Sequence, residues 1–229
     1  METIELDGVK IFIKKKSMKH MYLRVLPPDG QVFVTAPYSF SDEEIREFIF
    51  SKRRWIWEQK KRFESRADFV KTQYATGERC YLWGKEYELF VQDSTRPYKV
   101  SLLENRIVMQ IGKNSTIQQR EQLVNEWYRM QLKQAIPSVL QKCEKRTGLI
   151  ANEWRIKNMK TRWGTCNIAK KRIWLNLQLA KKPPECLEYV VIHELVHLLE
   201  RGHNARFYGY MSRFYPEWKS VRERLNKNY

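Results

Sequence analysis

His193 and His197 bracket a carboxylate in His193-Glu194-Leu195-Val196-His197, and a third histidine, His203, follows six residues later. On a helix, residues four apart lie about 40° apart around the axis and one turn apart along it. Both imidazoles can therefore reach one metal ion from one face. Glu194 then stands where it can take a proton from water held beside that ion. Nitrogen donors of this kind suit zinc, and the chemistry they predict is hydrolysis.

The flanking residues predict the helix that carries them. Pro183-Pro184 suits its start, and Tyr189-Val190-Val191-Ile192, Leu195-Val196 and Leu198-Leu199 make it apolar almost all round. A helix of that kind is buried. Gly202 can take the left-handed conformation that ends a helix, which would turn His203 back toward the pair. A rival third ligand is Glu217, twenty positions after His197 and just behind Pro216; the ready turn at Gly202 favours His203. The chain has four histidines, and three fall within this short stretch. The fourth, His20, has no ligand-type neighbours in sequence and reads as structural or exposed.

The 229 residues can bury a sizeable core in one domain or two. With 43 Lys+Arg against 26 Asp+Glu, the net charge is +17. Such a balance admits polyanionic partners, nucleotide or nucleic acid among them, without requiring one. Cys80, Cys143, Cys166 and Cys186 are scattered with no Cys-x-x-Cys pair, and Met1-Glu2-Thr3-Ile4-Glu5 is not a positive-then-apolar leader. No run approaches the roughly 18 apolar residues of a membrane span. Free thiols in a reducing cytoplasm are the expectation.

The first half reads as scaffold. Val9, Ile11 and Ile13 share one face of a strand, and residues 21–26 and 31–36 flank the turn sequence Pro27-Pro28-Asp29-Gly30 as a hairpin. Ser41-Asp42-Glu43-Glu44 starts a helix expected to run to about Ser65, with Ile45, Phe48, Ile49, Trp55 and Ile56 on its packing side. Its basic second half reads as a solvated face with core tryptophans, ahead of a nucleic-acid surface. Residues 66–76 read as a connector, and strands are expected at 78–83, 85–91, 97–103 and 106–111. A helix follows from about Thr116 to Arg146, which Pro137 should kink or divide. No internal repeat is visible.

Two further strands, at 153–159 and 172–176, surround Thr161-Arg162-Trp163-Gly164-Thr165-Cys166. Gly164 permits a close backbone approach there, and Cys166 reads as wall or core rather than as a fourth ligand, which would leave no room for water. That hexapeptide, Leu175-Asn176, Pro184, the run Tyr189–Leu198 and Asn204 after His203 resemble the YgjP-like predicted zinc metallopeptidases, relatives of the SprT-like proteases in the zincin group. Val32–Pro37, Ile45, Lys52 and Trp55-Ile56 extend the resemblance over most of the chain.

The resemblance implies an α+β fold with a zincin-like helix–sheet–helix core, His193, His197 and His203 as metal ligands, and Glu194 as base. The expected division is a β-rich region at 1–113 with a helix at about 42–65, then a catalytic domain at 114–229. The expected activity is peptide-bond hydrolysis with one zinc ion per chain. Arg162, Trp163 and Gly164 would line the substrate cleft as an edge strand, and Arg162, Tyr208 and Tyr210 are candidate oxyanion donors. A phosphoanhydride hydrolase and a nucleic-acid module with a structural metal are the alternatives.

Overall fold

The computed structural model describes residues 2–26, 30–64 and 72–227. It divides into two compact units, Met1–Thr72 and Gln73–Tyr229. The first holds strands β1 (Glu2–Leu6), β2 (Val9–Lys16), β3 (Tyr22–Leu26) and β4 (Gln31–Pro37), then helices α1 (Asp42–Ser51) and α2 (Arg53–Glu64). Its sheet runs β1-β2-β4-β3. Alternation does the work: Ile11, Ile13, Val32, Val34 and Ala36 are buried and pack against Ile45, Ile49 and Ile56.

The single expected helix is two, because Lys52 leaves helical geometry at φ −101° and ψ 5°. This break interrupts the apolar periodicity. Ile56 is 3% exposed, whereas Trp55 and Trp57 are 41% and 61% exposed and are not the core tryptophans that spacing suggests. The expected end at Ser65, most of the 66–76 connector and the tip of the 27–30 turn lie outside the described residues.

The second unit begins with β5 (Arg79–Leu82), β6 (Lys85–Asp93), β7 (Lys99–Leu103) and β8 (Arg106–Ile111), in the order β5-β6-β8-β7. This sheet repeats the plan of the first. Each opens with an antiparallel hairpin whose two turn residues both have positive φ, Asp7-Gly8 in one and Trp83-Gly84 in the other. Each then pairs its second and fourth strands in parallel and its third and fourth antiparallel. Each is followed by a helix with a capping box, Ser41 with Glu44 and Thr116 with Gln119. The repeat was invisible in sequence because a turn of this type constrains little beyond φ, and alternation constrains only polarity.

Helix α3 (Ile117–Thr147) crosses Pro137 undivided. Pro137 is exposed, so the backbone bond it removes lies on the solvent side, while Leu132, Ile136 and Leu140 hold the opposite face in the core. Leu89, Ile107 and Met109 of the second sheet share that core with Trp127 and Tyr128 of α3. The division therefore falls at 72/73 rather than 113/114: burying its inner face makes the second sheet part of the catalytic unit.

That sheet also anchors what comes next. Trp83 and Gly84 donate from their amides to the carbonyls of Ala180 and Lys181 at 2.8 and 3.2 Å. Gly84 sits at φ +81°, and a Cβ there would come within 2.8 Å of Pro183 Cγ. The β5–β6 turn is thus pressed against the start of α4 (Pro184–Val196). A third sheet, β10-β11-β9, is made of β9 (Glu153–Lys157), β10 (Gly164–Asn167) and β11 (Arg172–Asn176), with β10 at a free edge. Helices α5 (Ala205–Phe214) and α6 (Trp218–Asn226) close the chain. Among the described residues no helix is long and apolar enough to cross a membrane.

Candidate metal centre

Helix α4 is buried on most sides: Val190, Val191, Ile192, Leu195 and Val196 are each at most 2% exposed. From Tyr189 onward only His193 and His197, one turn apart, break into half-buried space. The helix stops at its C-cap, His197, through tight turns in which Leu198 and Leu199 donate to Leu195 and Val196. Gly202 is not left-handed, contrary to expectation, and has open space around it. The chain is turned instead by local bonds. Glu200 presents its carbonyl to His197 Nδ1 at 3.1 Å, and Asn204 caps α5 by accepting from the Phe207 amide at 3.0 Å.

His203 thereby returns to the pair. Its Nε2 lies 2.9 Å from that of His193, and ligand atoms of all three histidines fall within 4.8 Å of one another. Buried Phe207 sits below them, 4.7–4.9 Å from each ring centroid. The Glu200 carbonyl fixes the His197 tautomer, with hydrogen on Nδ1 and a lone pair on Nε2. Burial, then the neighbouring imidazoles and Arg222, holds His193 down at about 3. Burial, His197 and Arg222 lower His203 as well. Neutral imidazoles with free lone pairs are what a metal needs.

Glu194 lies against Gly164 and is 3% exposed. Its Oε2 is buried without a hydrogen-bond partner among the described residues. Burial pushes its carboxyl up to about 8, with Arg162 opposing. The room it occupies exists because residue 164 is glycine: a Cβ there would lie 2.5 Å from Glu194 Oε1 and 2.8 Å from its Cγ.

A stability prediction follows for metal-free protein. The carboxyl binds its proton more tightly folded than unfolded, so its contribution is fully present below about pH 4.5 and is lost as pH rises to about 8. Urea denaturation in chelator should show wild type falling behind Glu194→Gln across that window, and the two converging near pH 4. A gap independent of pH would contradict the burial of this carboxyl.

The trio opens into a cleft of about 700 Å³. One wall is the segment Arg162–Cys166, ending in edge strand β10; another is α6, through Arg222 and Asn226. Trp163 ties the two together, donating from Nε1 to Asn226 Oδ1 at 3.3 Å beneath the Lys182 ammonium, 5.3 Å from its ring. Behind this wall Asn176, 4% exposed, saturates its side chain. Nδ2 donates to the Met159 and Arg162 carbonyls at 2.8 and 2.7 Å, and Oδ1 accepts from the Met159 and Gln178 amides at 3.3 and 3.1 Å. Asn176→Leu keeps the branched outline of the side chain but orphans all four groups. It should cost roughly 2–4 kcal/mol in denaturant unfolding; a loss under about 1 kcal/mol would mean that the loop is held by other contacts.

The YgjP-like metallopeptidase domain pattern matches residues 19–228. The chain belongs to the YgjP-like metallopeptidase family. Its activity is accordingly that of a metal-dependent hydrolase of peptide bonds. Among solved structures it is similar to the metallopeptidase zymogen abylysin of Pyrococcus abyssi, with 22% identity over 39% of this chain and 90% of that one, at a TM-score of 0.37. It is also similar to the zymogen jannalysin of Methanocaldococcus jannaschii, with 19% identity over 39% and 92%, at 0.35. No curated protein matches the sequence.

Within this YgjP-like chain the residues marked by spacing mostly converge. His193, Glu194, His197, His203, Arg162, Trp163 and Gly164 all border the one cleft, as does the half-buried thiol of Cys166. Tyr208 joins them, stacked on Trp218 at 5.1 Å. Tyr210 does not: it stacks on Phe214 and is not among the cleft residues. Glu217 is exposed at the start of α6 and lies outside the histidine cluster. Arg222 was missed by sequence reasoning, since it reaches the site only by the folding back of α6. Its one signal is the period of Trp218, Val221 and Leu225, which puts position 222, four after Trp218, at the border of the buried stripe.

Proposed function

We propose that this YgjP-like peptidase holds one zinc ion on His193, His197 and His203 and uses Glu194 as its general base. The observation that carries the reading is the convergence of three imidazoles beside a buried carboxylate oxygen with no partner. Zinc–nitrogen bonds of about 2.0–2.1 Å in tetrahedral array separate their nitrogens by roughly 3.3 Å, which the 2.9 Å approach and the 4.8 Å limit bracket. The residues fit the ion. Bound there, zinc would polarise a peptide carbonyl and bring the pKa of water to about 7.

The remaining work falls to side chains of this protein. Glu194 accepts a proton from the attacking water on its unpaired Oε2 and returns it to the leaving amide nitrogen. Phe207 and the apolar flank of α4 exclude bulk water from beneath, and Arg162 or Tyr208 donates to the developing oxyanion. The free edge of β10 offers backbone amides and carbonyls on which an extended peptide adds as a further strand. Exact complementarity of charge is not needed for that step, since main-chain hydrogen bonds carry it.

Ligand choice is tested by metal retention. His203→Ala should release zinc to a chelator at concentrations at least about tenfold lower than wild type needs, because loss of one of three protein ligands weakens the site. Glu217→Ala should leave retention unchanged. The opposite order would reject His203 as the third ligand.

A further inference from the structure

The cleft walls carry an imbalance of charge that the hydrolytic step does not use. Three arginines border the cleft, each from a different element: Arg162 before β10, Arg201 in the α4–α5 connection and Arg222 on α6. The one carboxylate among the cleft residues is Glu194, which is buried. All three arginines are exposed, and none has an ion-pair partner among the described residues. Their sequence neighbours behave differently: Arg224 pairs with Glu185 at 2.9 Å and Arg206 with Glu200 at 3.9 Å. Acids are thus available nearby and are used elsewhere.

From these walls we infer that the cleft selects peptides bearing carboxylates close to the scissile bond, with Arg162, Arg201 and Arg222 as the specificity-determining residues. The inference rests on the peptidase reading and adds the substrate class to it. A concave site lined by one sign of charge concentrates ligands of the other sign, and guanidinium groups meet carboxylates with two parallel hydrogen bonds. The placement frames the histidines: Arg162 precedes β10 on one wall of the cleft, and Arg222 stands on α6, another wall. A peptide laid along β10 passes between them. Its carboxylates come from Asp and Glu side chains or from its own carboxy terminus.

The test reads binding apart from turnover, using full-length Glu194→Gln protein and labelled peptides of one neutral parent sequence. One peptide has blocked ends, one carries glutamates around the central bond with blocked ends, and one is neutral with a free carboxy terminus. Fluorescence anisotropy at low salt should show at least one carboxylate-bearing peptide binding about tenfold or more tighter than the blocked neutral one. Whichever it is identifies the source of the charge. The gap should shrink to within about twofold near 0.5 M salt through screening, and Arg162→Glu with Arg222→Glu should abolish it. Equal binding of all three peptides overturns the inference, as does a gap that survives both charge reversals in protein of native circular dichroism. Cleavage of the neutral peptide by wild type, set against Glu194→Gln, tests the peptidase reading separately.

Discussion

Glu194→Gln is expected to lower kcat for peptide cleavage by about 10²–10⁴-fold while zinc content and fold stay as in wild type. Glutamine keeps the shape of the side chain and so still fits against Gly164, where no Cβ intrudes. What it loses is the oxygen that accepts a proton. Because that oxygen is otherwise unpartnered among the described residues, the substitution breaks no structural hydrogen bond there. The loss should therefore appear in kcat with KM little changed. Activity retained above about a tenth would remove Glu194 from the role of base.

Gly164→Ala should be nearly as damaging, for a reason the sequence did not disclose. The glycine in Arg162-Trp163-Gly164 reads as a gap through which a substrate backbone approaches, yet the space is filled by Glu194. A Cβ would stand 2.5 Å from Oε1, 2.8 Å from Cγ and 2.9 Å from Cδ. Residue 164 does not have positive φ, so alanine is conformationally acceptable, and the three nearest atoms its Cβ would meet all belong to Glu194. Overpacking of this kind costs about 1–3 kcal/mol, and a displaced base should cost about tenfold or more in kcat. The decisive form is a double-mutant cycle. In a Glu194→Ala background the new methyl group has room, so Gly164→Ala should be close to neutral in stability, giving a coupling of about 1–3 kcal/mol. An equal penalty in both backgrounds would show that Gly164 serves β10 rather than the base. For the same reason, a loss of peptide cleavage in Gly164→Val does not by itself report on strand addition.

What could be read in advance follows from how far each feature extends along the chain. The metal motif lies within one helix, where spacing alone brings His193 and His197 to one face, and its apolar flanks fix the burial that perturbs Glu194. Spacing marks His203 as the residue that returns and Gly202 as its turn; side-chain and backbone bonds at Glu200 and Asn204 make the turn instead. Alternation and turn residues mark every strand of the two four-stranded sheets except β1, because the alternation continues through Asp7-Gly8, where the chain turns back into β2. The shared plan of the two sheets has no such mark, because topology is decided by which edges pair, and no local signal records that. Nor could sequence show that the second sheet belongs with the catalytic core, since this depends on Leu89 and Met109 meeting α3. Arg222 was missed for the same cause, and Trp55 was misplaced by a helix break at Lys52.

The most direct measurement is zinc titration of chelator-stripped protein with peptide cleavage as readout. Stripped protein should be inactive, and activity should rise linearly and saturate at one zinc per chain, with Glu194→Gln binding the same single ion and remaining inactive. Undiminished cleavage by the stripped protein, or restored cleavage in zinc-loaded Glu194→Gln, would contradict the account.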